Sequence, residues 1–428
     1  MTTLSLDDSQ RLAVELVRSA PVGVVTGGPG TGKTTTLRAA LDVLDALPEP
    51  ATWPCALCLE RGCDACEGRG FELGERYLLC SPTGKAARRM QEATGRPAST
   101  VHRALQYHPQ QGWRRHAERP IPSDLIVVDE SSMLDVELAA ALLRAVSPTR
   151  TRVVFVGDAN QLPSVGPGRV FADLIDSGEV PVARLTTLHR AAAESWVCTQ
   201  APAVLAGQEP DLTRRDDFEW RRTETADAAA DAVIEVVRAL PVGEDAQILI
   251  PQRKGSCGID AINARLQALT NPPRAAEERW AMGGFELRPR DRVIQTKNDY
   301  TLGVMNGEVG EISSLEPKRG DEAARAVVRF DDRSVVYSRA QAMALELAYA
   351  LTIHRSQGSE WGTCVVVCHS SHAFMLSRSL LYTAITRAKK RVVLVGDAKG
   401  LAAALRSAAD HRRNTTLAER MKEAANAR

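Results

Sequence analysis

The segment Gly27-Gly28-Pro29-Gly30-Thr31-Gly32-Lys33-Thr34 constrains this 428-residue chain more than any other. It follows the apolar run Val22–Thr26 and precedes the helical pattern Thr35–Leu44. Glycines at a strand end let successive backbone N–H groups curl around an anion, and the helix N-terminus adds its positive end. Such a loop cradles a polyphosphate through Gly28, Pro29, Gly30, Thr31 and Gly32, with Thr35 in the first helical turn. Lys33 reaches the β- and γ-phosphates, and the Thr34 hydroxyl takes Mg2+. ATP with Mg2+ is the expected ligand.

A second strand, Ile126-Val-Val, ends in Asp129-Glu130. Asp129 suits the same Mg2+, and Glu130 suits polarisation of an attacking water. A rival pattern, Thr296-Lys297-Asn298-Asp299, is similar to the guanine-reading element of GTPases. Those proteins place glycine three residues after the metal aspartate, and position 132 here is Ser, so we read it as a decoy.

Short β-branched runs recur at Tyr77–Ser81, Leu125–Glu130, Val153–Asp158, Gln247–Pro251, Thr363–Cys368 and Arg391–Asp397, with alanine-rich helical stretches such as Asp135–Val146 and Ala226–Leu240 between. Buried strands alternating with helices predict an α/β architecture with parallel sheets. Residues 153–159 and 392–398 are nearly the same strand-to-loop segment, as two α/β domains in tandem or chance likeness of apolar strands would give. Between Leu287 and Val336 the pattern changes to short strands and tight turns, which predicts a small antiparallel barrel.

Charge and composition narrow the partners. Lys plus Arg number 54 against 53 Asp plus Glu, which excludes a wholly cationic body but not a local basic groove. Aromatic residues are only 4%, so contacts to nucleic acid should fall on its backbone rather than stack on bases. No apolar run approaches the roughly 18 residues of a membrane helix, and Met1–Gln10 does not read as a secretory signal. A cytoplasmic, reducing setting follows, where nine cysteines are not expected to pair. Cys55, Cys58, Cys63 and Cys66 form two Cys-x2-Cys knuckles within about 53–70, a spacing that presents four thiolates to structural Zn2+. The second knuckle resembles those of J-domain chaperones; a redox pair or unused thiols are the alternatives. Cys80, Cys198, Cys257, Cys364 and Cys368 lie near apolar segments and read as core.

Further motifs follow in order: Gln10; Ser81-Pro82-Thr83-Gly-Lys85; Ser99-Thr-Val-His102-Arg103; Gly157-Asp158-Ala-Asn-Gln161; Leu188-His189-Arg190; Pro251-Gln-Arg253; Thr352-Ile-His354-Arg-Ser-Gln357-Gly-Ser-Glu360; and Thr386-Arg387-Ala-Lys389. With the phosphate loop they resemble the RecD-like branch of superfamily 1 DNA helicases. The resemblance implies two tandem RecA-like parallel-sheet motor domains, at 1–187 and at 188–286 with 338–400. It also implies an SH3-like barrel insert at 287–337 and a C-terminal helical tail at 401–428. By the same resemblance Gln10 reads adenine, Gln161 senses the γ-phosphate, and Gln357 and Glu360 lie by the nucleotide. Arg190 and Arg387 are then presented to the γ-phosphate from the second domain, a device worth about 10³-fold in rate; surface salt bridges are the bland alternative. Pro82, Thr83, His102, Arg253, Thr352 and His354 become DNA contacts, although either histidine would serve equally as packing. Lys297 and Asn298 on the barrel suit phosphate contacts or a plain turn.

In the family, a hairpin at about 106–122 splits the duplex, which would put Trp113 at the opening base pair; the alternative is a ring tucked against the domain. The expected activity is ATP-dependent translocation on single-stranded DNA, 5′ to 3′, with unwinding at single-strand/duplex junctions. The runner-up is a DNA-stimulated ATPase that remodels DNA–protein complexes without unwinding. A monomer associated with the nucleoid is expected, and the nine residues before Gln10 leave no room for the extra N-terminal domains of longer family members.

Overall fold

The computed structural model describes residues 6–46, 52–54, 71–188, 193–299, 301–317, 323–331, 333–408 and 413–427, with the backbone alone at 52–54 and 71–73. The chain divides into two compact units, Met1–Glu194 with Asp410–Arg428, and Ser195–Ala409.

Unit 1 is built on a six-stranded sheet in the order Ala98–Thr100, Leu78–Ser81, Leu125–Val128, Arg152–Gly157, Val22–Gly27, Val182–Leu185. Every pairing is parallel. Alternation along the strands splits the core in two. Val24, Ile126, Val128, Val153 and Phe155 face the helices Val136–Arg144 and Val170–Ser177. Val25, Leu125, Val127, Val154 and Val156 face the helices Asp8–Ser19 and Lys33–Asp45. Burial on both faces is why these strands read as continuous apolar runs.

Unit 2 carries a five-stranded parallel sheet in the order Ala350–Thr352, Ala246–Ile250, Trp361–Cys368, Ala388–Gly396, Phe218–Arg222. The repeated segments 153–159 and 392–398 therefore begin in interior strands of two separate parallel sheets. Between Ile250 and Ala350 the chain forms the helix Ile259–Thr270 and then an antiparallel sheet, ordered Ser334–Ser338, Arg325–Arg329, Val309–Glu316, Arg292–Gln295, Leu345–Leu347. The sheet thus runs past the expected limit at 337. Its last strand is a Leu-Glu-Leu tripeptide, too short to show a period in sequence.

The tail also divides. The helix Ala398–Arg406 belongs to unit 2, whereas Leu417–Asn426 packs on Val170–Ser177 in unit 1. Leu417 and Met421 supply its apolar contacts to the unit 1 core.

One buried carboxylate pins the inserted sheet to the parallel-sheet part of unit 2. Asp291 accepts hydrogen bonds from Arg288 N (2.7 Å), Gln267 Nε2 (2.6 Å), Asn271 Nδ2 (2.8 Å) and the Tyr349 hydroxyl (2.9 Å). These donors come from the preceding helix, the sheet entry and the residue before strand Ala350–Thr352. Burial pushes the Asp291 pKa up, and the four donors pull it down. Asp291→Ala should lower the unfolding free energy by about 3 kcal/mol, because four donors lose one acceptor. Urea denaturation measures this, and a loss below about 0.5 kcal/mol would show the hub to be dispensable.

Candidate nucleotide and nucleic-acid site

Parallel pairing sends every strand of unit 1 to the same edge. Gly28–Thr34, Pro82 and Thr83, His102, Asp129 and Glu130, and Gln161 all lie in the segments just beyond the carboxyl ends of those strands. The phosphate loop leaves the sheet at Gly27, where an added Cβ would fall 2.5 Å from Thr31 Oγ1. Gly30 and Gly32 both have left-handed backbone (φ 72° and 78°), which glycine alone adopts without strain. The Lys33 ammonium donates to the carbonyls of Gly27 (2.6 Å) and Gly28 (3.0 Å). Thr34 and Thr35 are exposed on the first helical turn, while Thr36 is buried and donates to Gly32 O.

Asp129 follows a strand with four consecutive buried residues, and its Oδ1 accepts from Glu130 N at 2.8 Å. Glu130 sits in the left-handed region (φ 52°), a conformation costly for a residue that carries a Cβ and found most often in functional turns. Burial and the neighbouring Glu130 carboxylate raise the Asp129 pKa to about 6, against the pull of Lys33 and Arg89. A buried carboxylate beside a second one at a strand end suits a divalent cation. Gln161, almost fully buried, is held by Asp158 through Nε2–Oδ2 at 3.4 Å.

Other expected contacts are already engaged. Gln10 accepts from Asp7 N in a capping box at the start of helix Asp8–Ser19. Thr83 Oγ1 accepts from Ala86 N, and Thr352 Oγ1 accepts from Arg355 N, so each caps the turn after a strand in its own unit. His102, Tyr107 and Trp113 form a ring cluster, with Tyr107 and Trp113 centroids 4.5 Å apart. Burial lowers the His102 pKa. Trp113 packs against the unit 1 core, and Arg115 is buried with Nη1 on Pro120 O. The region 106–122 is thus two tight turns closed by bridges His108–Gly112 and His116–Arg119. Arg115 is buried there because a carbonyl of its own loop replaces water.

In unit 2, Thr352 is the last residue of its strand and Arg253 and His354 lie just beyond the carboxyl ends of theirs, while Glu360 and Arg387 immediately precede strands Trp361–Cys368 and Ala388–Gly396 at the opposite edge. Gln357 is buried on the connection between those edges. Arg387 is 2% exposed and donates to Thr383 O and Ser359 O, both at 3.2 Å. Asn298 Oδ1 accepts from Asn306 N and Lys297 O accepts from Gln295, which closes a local turn. Sequence reading missed Glu346, which pairs with Arg253 (2.9 Å) and Arg355 (2.6 Å). Both arginines lay in quoted motifs; Glu346 is nine residues from Arg355 and 93 from Arg253, outside any motif. Arg190, together with Cys55, Cys58, Cys63 and Cys66, lies outside the described residues. No group that could hold a metal by histidine, cysteine and carboxylate clustering occurs among the described residues.

A phosphate loop, a strand-end carboxylate pair and a buried glutamine along one edge of a parallel sheet define a P-loop motor fold. Residues 10–167 match the AAA domain family, residues 347–395 the UvrD-like helicase C-terminal domain, and residues 262–330 the ATP-dependent RecD-like DNA helicase SH3 domain. The chain is 41% identical over 420 residues to the ATP-dependent RecD2 DNA helicase of Deinococcus radiodurans, covering 97% of this chain and 52% of that one. It is 33% identical over 428 residues to the RecBCD enzyme subunit RecD of Mycolicibacterium smegmatis, covering 91% and 71%. The chain therefore spans about half the length of the Deinococcus relative. Bacteroides Pif1 bound to ssDNA shares the fold, with TM-score 0.53 and 18% identity over 92% of each chain. The chain belongs to the RecD-like family of superfamily 1 DNA helicases.

The raised Asp129 pKa has a measurable sign. In metal-free buffer the folded chain keeps that proton to about pH 6, whereas an unfolded aspartate releases it near 4. The folded state binds more protons between those values, so stability falls as pH rises through them. Asp129→Asn should therefore raise the thermal midpoint in EDTA at about pH 7.5, with a smaller gain at about pH 5. Equal gains at both pH values would show that Asp129 titrates normally.

Proposed function

We propose that this chain is an ATP-driven motor on single-stranded DNA that moves 5′ to 3′ and separates strands at junctions with duplex. The observation that carries the reading is the gathering of Lys33, Asp129, Glu130 and Gln161 along one sheet edge, in a chain of this family. Thr34 and Asp129 would hold Mg2+, which neutralises phosphate charge when bound. Lys33 leaves the Gly27 and Gly28 carbonyls for the β- and γ-phosphates. Glu130 orients water, and Gln161 reports the γ-phosphate through the loop it anchors. Gln10 would read the base. Arg190, which falls in the stretch assigned to unit 1, and Arg387 of unit 2 would supply positive charge to the γ-phosphate, which for Arg387 means exchanging two backbone carbonyls for phosphate. Pro82, Thr83, His102, Arg253, Thr352 and His354 would line the DNA path, with the inserted sheet, read as an SH3-like barrel, adding Lys297 and Asn298.

One observation favours the runner-up, a translocase that does not unwind. Trp113, the ring expected at the opening base pair, is half-buried and packs against the unit 1 core. Under the helicase reading it anchors the two turns, and their tips meet the junction.

Lys33→Ala should lower DNA-stimulated ATPase at least about 100-fold while leaving single-strand affinity within about twofold, since the phosphate contact is lost and the DNA path is not. The unaltered protein should then open a forked duplex with a 5′ tail. DNA-stimulated ATPase without opening would select the translocase, and no ATPase at all would reject the motor.

Structural Zn2+ on Cys55, Cys58, Cys63 and Cys66 remains part of the proposal on spacing alone. Protein purified without chelators should carry about one zinc per chain. Cys63→Ser should remove it, and metal-free native protein would refute the site.

A further inference from the structure

We propose that Arg413 is a positioning residue for the loop that carries Gln161, so that a segment from the far end of the chain sets the geometry of the γ-phosphate sensor. This inference rests on the reading of Gln161 given above. The loop Ser164-Val-Gly-Pro-Gly168 joins Gln161 to the helix Val170–Ser177. It holds itself only through Ser164, whose Oγ donates to Gly166 O (3.1 Å) and Gly168 O (3.4 Å); Val165 is 84% exposed, and glycine and proline supply no polar side chain. On one side it is fixed by Val136 N donating to Pro167 O at 2.9 Å. There it is pressed close, because a Cβ on Gly166 would fall 2.3 Å from Asp135 Oδ2.

Arg413 holds the other side. Its Nη2 donates to Ser164 O (2.6 Å), and its Nη1 to Gly166 O and Gly168 O (2.8 Å each). Three carbonyl dipoles converge on one guanidinium, a planar fork that stays charged at any working pH. A lysine has no such fork and cannot match the geometry.

The segment is anchored without Arg413. Thr415 Oγ1 donates to the buried Asp173 carboxylate at 2.6 Å, and Leu417 and Met421 pack against the core. Removing the guanidinium should therefore loosen the loop while the tail stays docked. The loop also abuts Asp135, which caps the helix following the Asp129-Glu130 turn. Arg413 thus braces a loop wedged between the sensor and the segment that carries the catalytic carboxylates.

ATP turnover of the full chain with single-stranded DNA tests this. Arg413→Ala should lower kcat about tenfold with KM for ATP within about twofold, as expected for a group acting through a transition-state contact. The thermal midpoint should stay near that of the parent, and Arg413→Lys should recover only part of kcat. Gln161→Ala should lower kcat too, and the double variant should be no worse than Gln161→Ala alone, because both changes remove one function. Additive losses, or a fall in kcat accompanied by equal losses in ATP affinity and thermal midpoint, would overturn the inference. Normal kcat in Arg413→Ala with impaired Gln161→Ala would overturn this inference alone. Normal kcat in Gln161→Ala would overturn the sensor reading, and this inference with it.

Discussion

Parallel strand pairing is the constraint on which the rest of the structure depends. It forces every strand of a sheet to end on one edge, and there the chain must turn, expose N–H groups and start a helix. In unit 1 that edge collects the phosphate loop, the carboxylate pair and the glutamine. Their closeness in space follows from topology, although more than one hundred residues separate Lys33 from Gln161 along the chain. The same rule separates roles in unit 2, where Arg253 and Thr352 end up at one edge and Glu360 and Arg387 at the other.

The legible parts of the sequence were those where local chemistry leaves one solution. A glycine cradle between a strand and a helix does, and so does an apolar strand ending in two carboxylates. The doubly buried strands of both units were readable because neither face needs a polar residue. What could not be read was decided by distant partners. Arg115 is buried, because Pro120 O accepts from its guanidinium and the Glu75 carboxylate, forty residues away in sequence, lies near enough to interact with its charge. Strand Leu345–Leu347 exists because Arg292–Gln295 offers an edge to pair with, which three residues cannot announce. The tail reads as one helical stretch, yet its two helices belong to different units.

Several arginines illustrate how a nearly neutral chain stores local positive charge. Arg253 and Arg355 share Glu346, and Arg387 rests on backbone carbonyls. Each guanidinium already has oxygen acceptors, a carboxylate for the first two and backbone carbonyls for the third. The net charge of +1 therefore says little about where positive charge is held along the chain.

Unit 1 contains residues from before and after unit 2, so in the folded chain unit 2 is an insertion between two parts of unit 1. On a ribosome the chain appears in sequence order. The loop after Gln161 leaves the exit tunnel some 245 residues before Arg413, the residue that braces it. During synthesis unit 1 can assemble its sheet early, yet it must wait through the whole of unit 2 for its last helix. The loop after Gln161 thus gains its Arg413 contacts only after unit 2 has been made, and a chain halted within unit 2 lacks them.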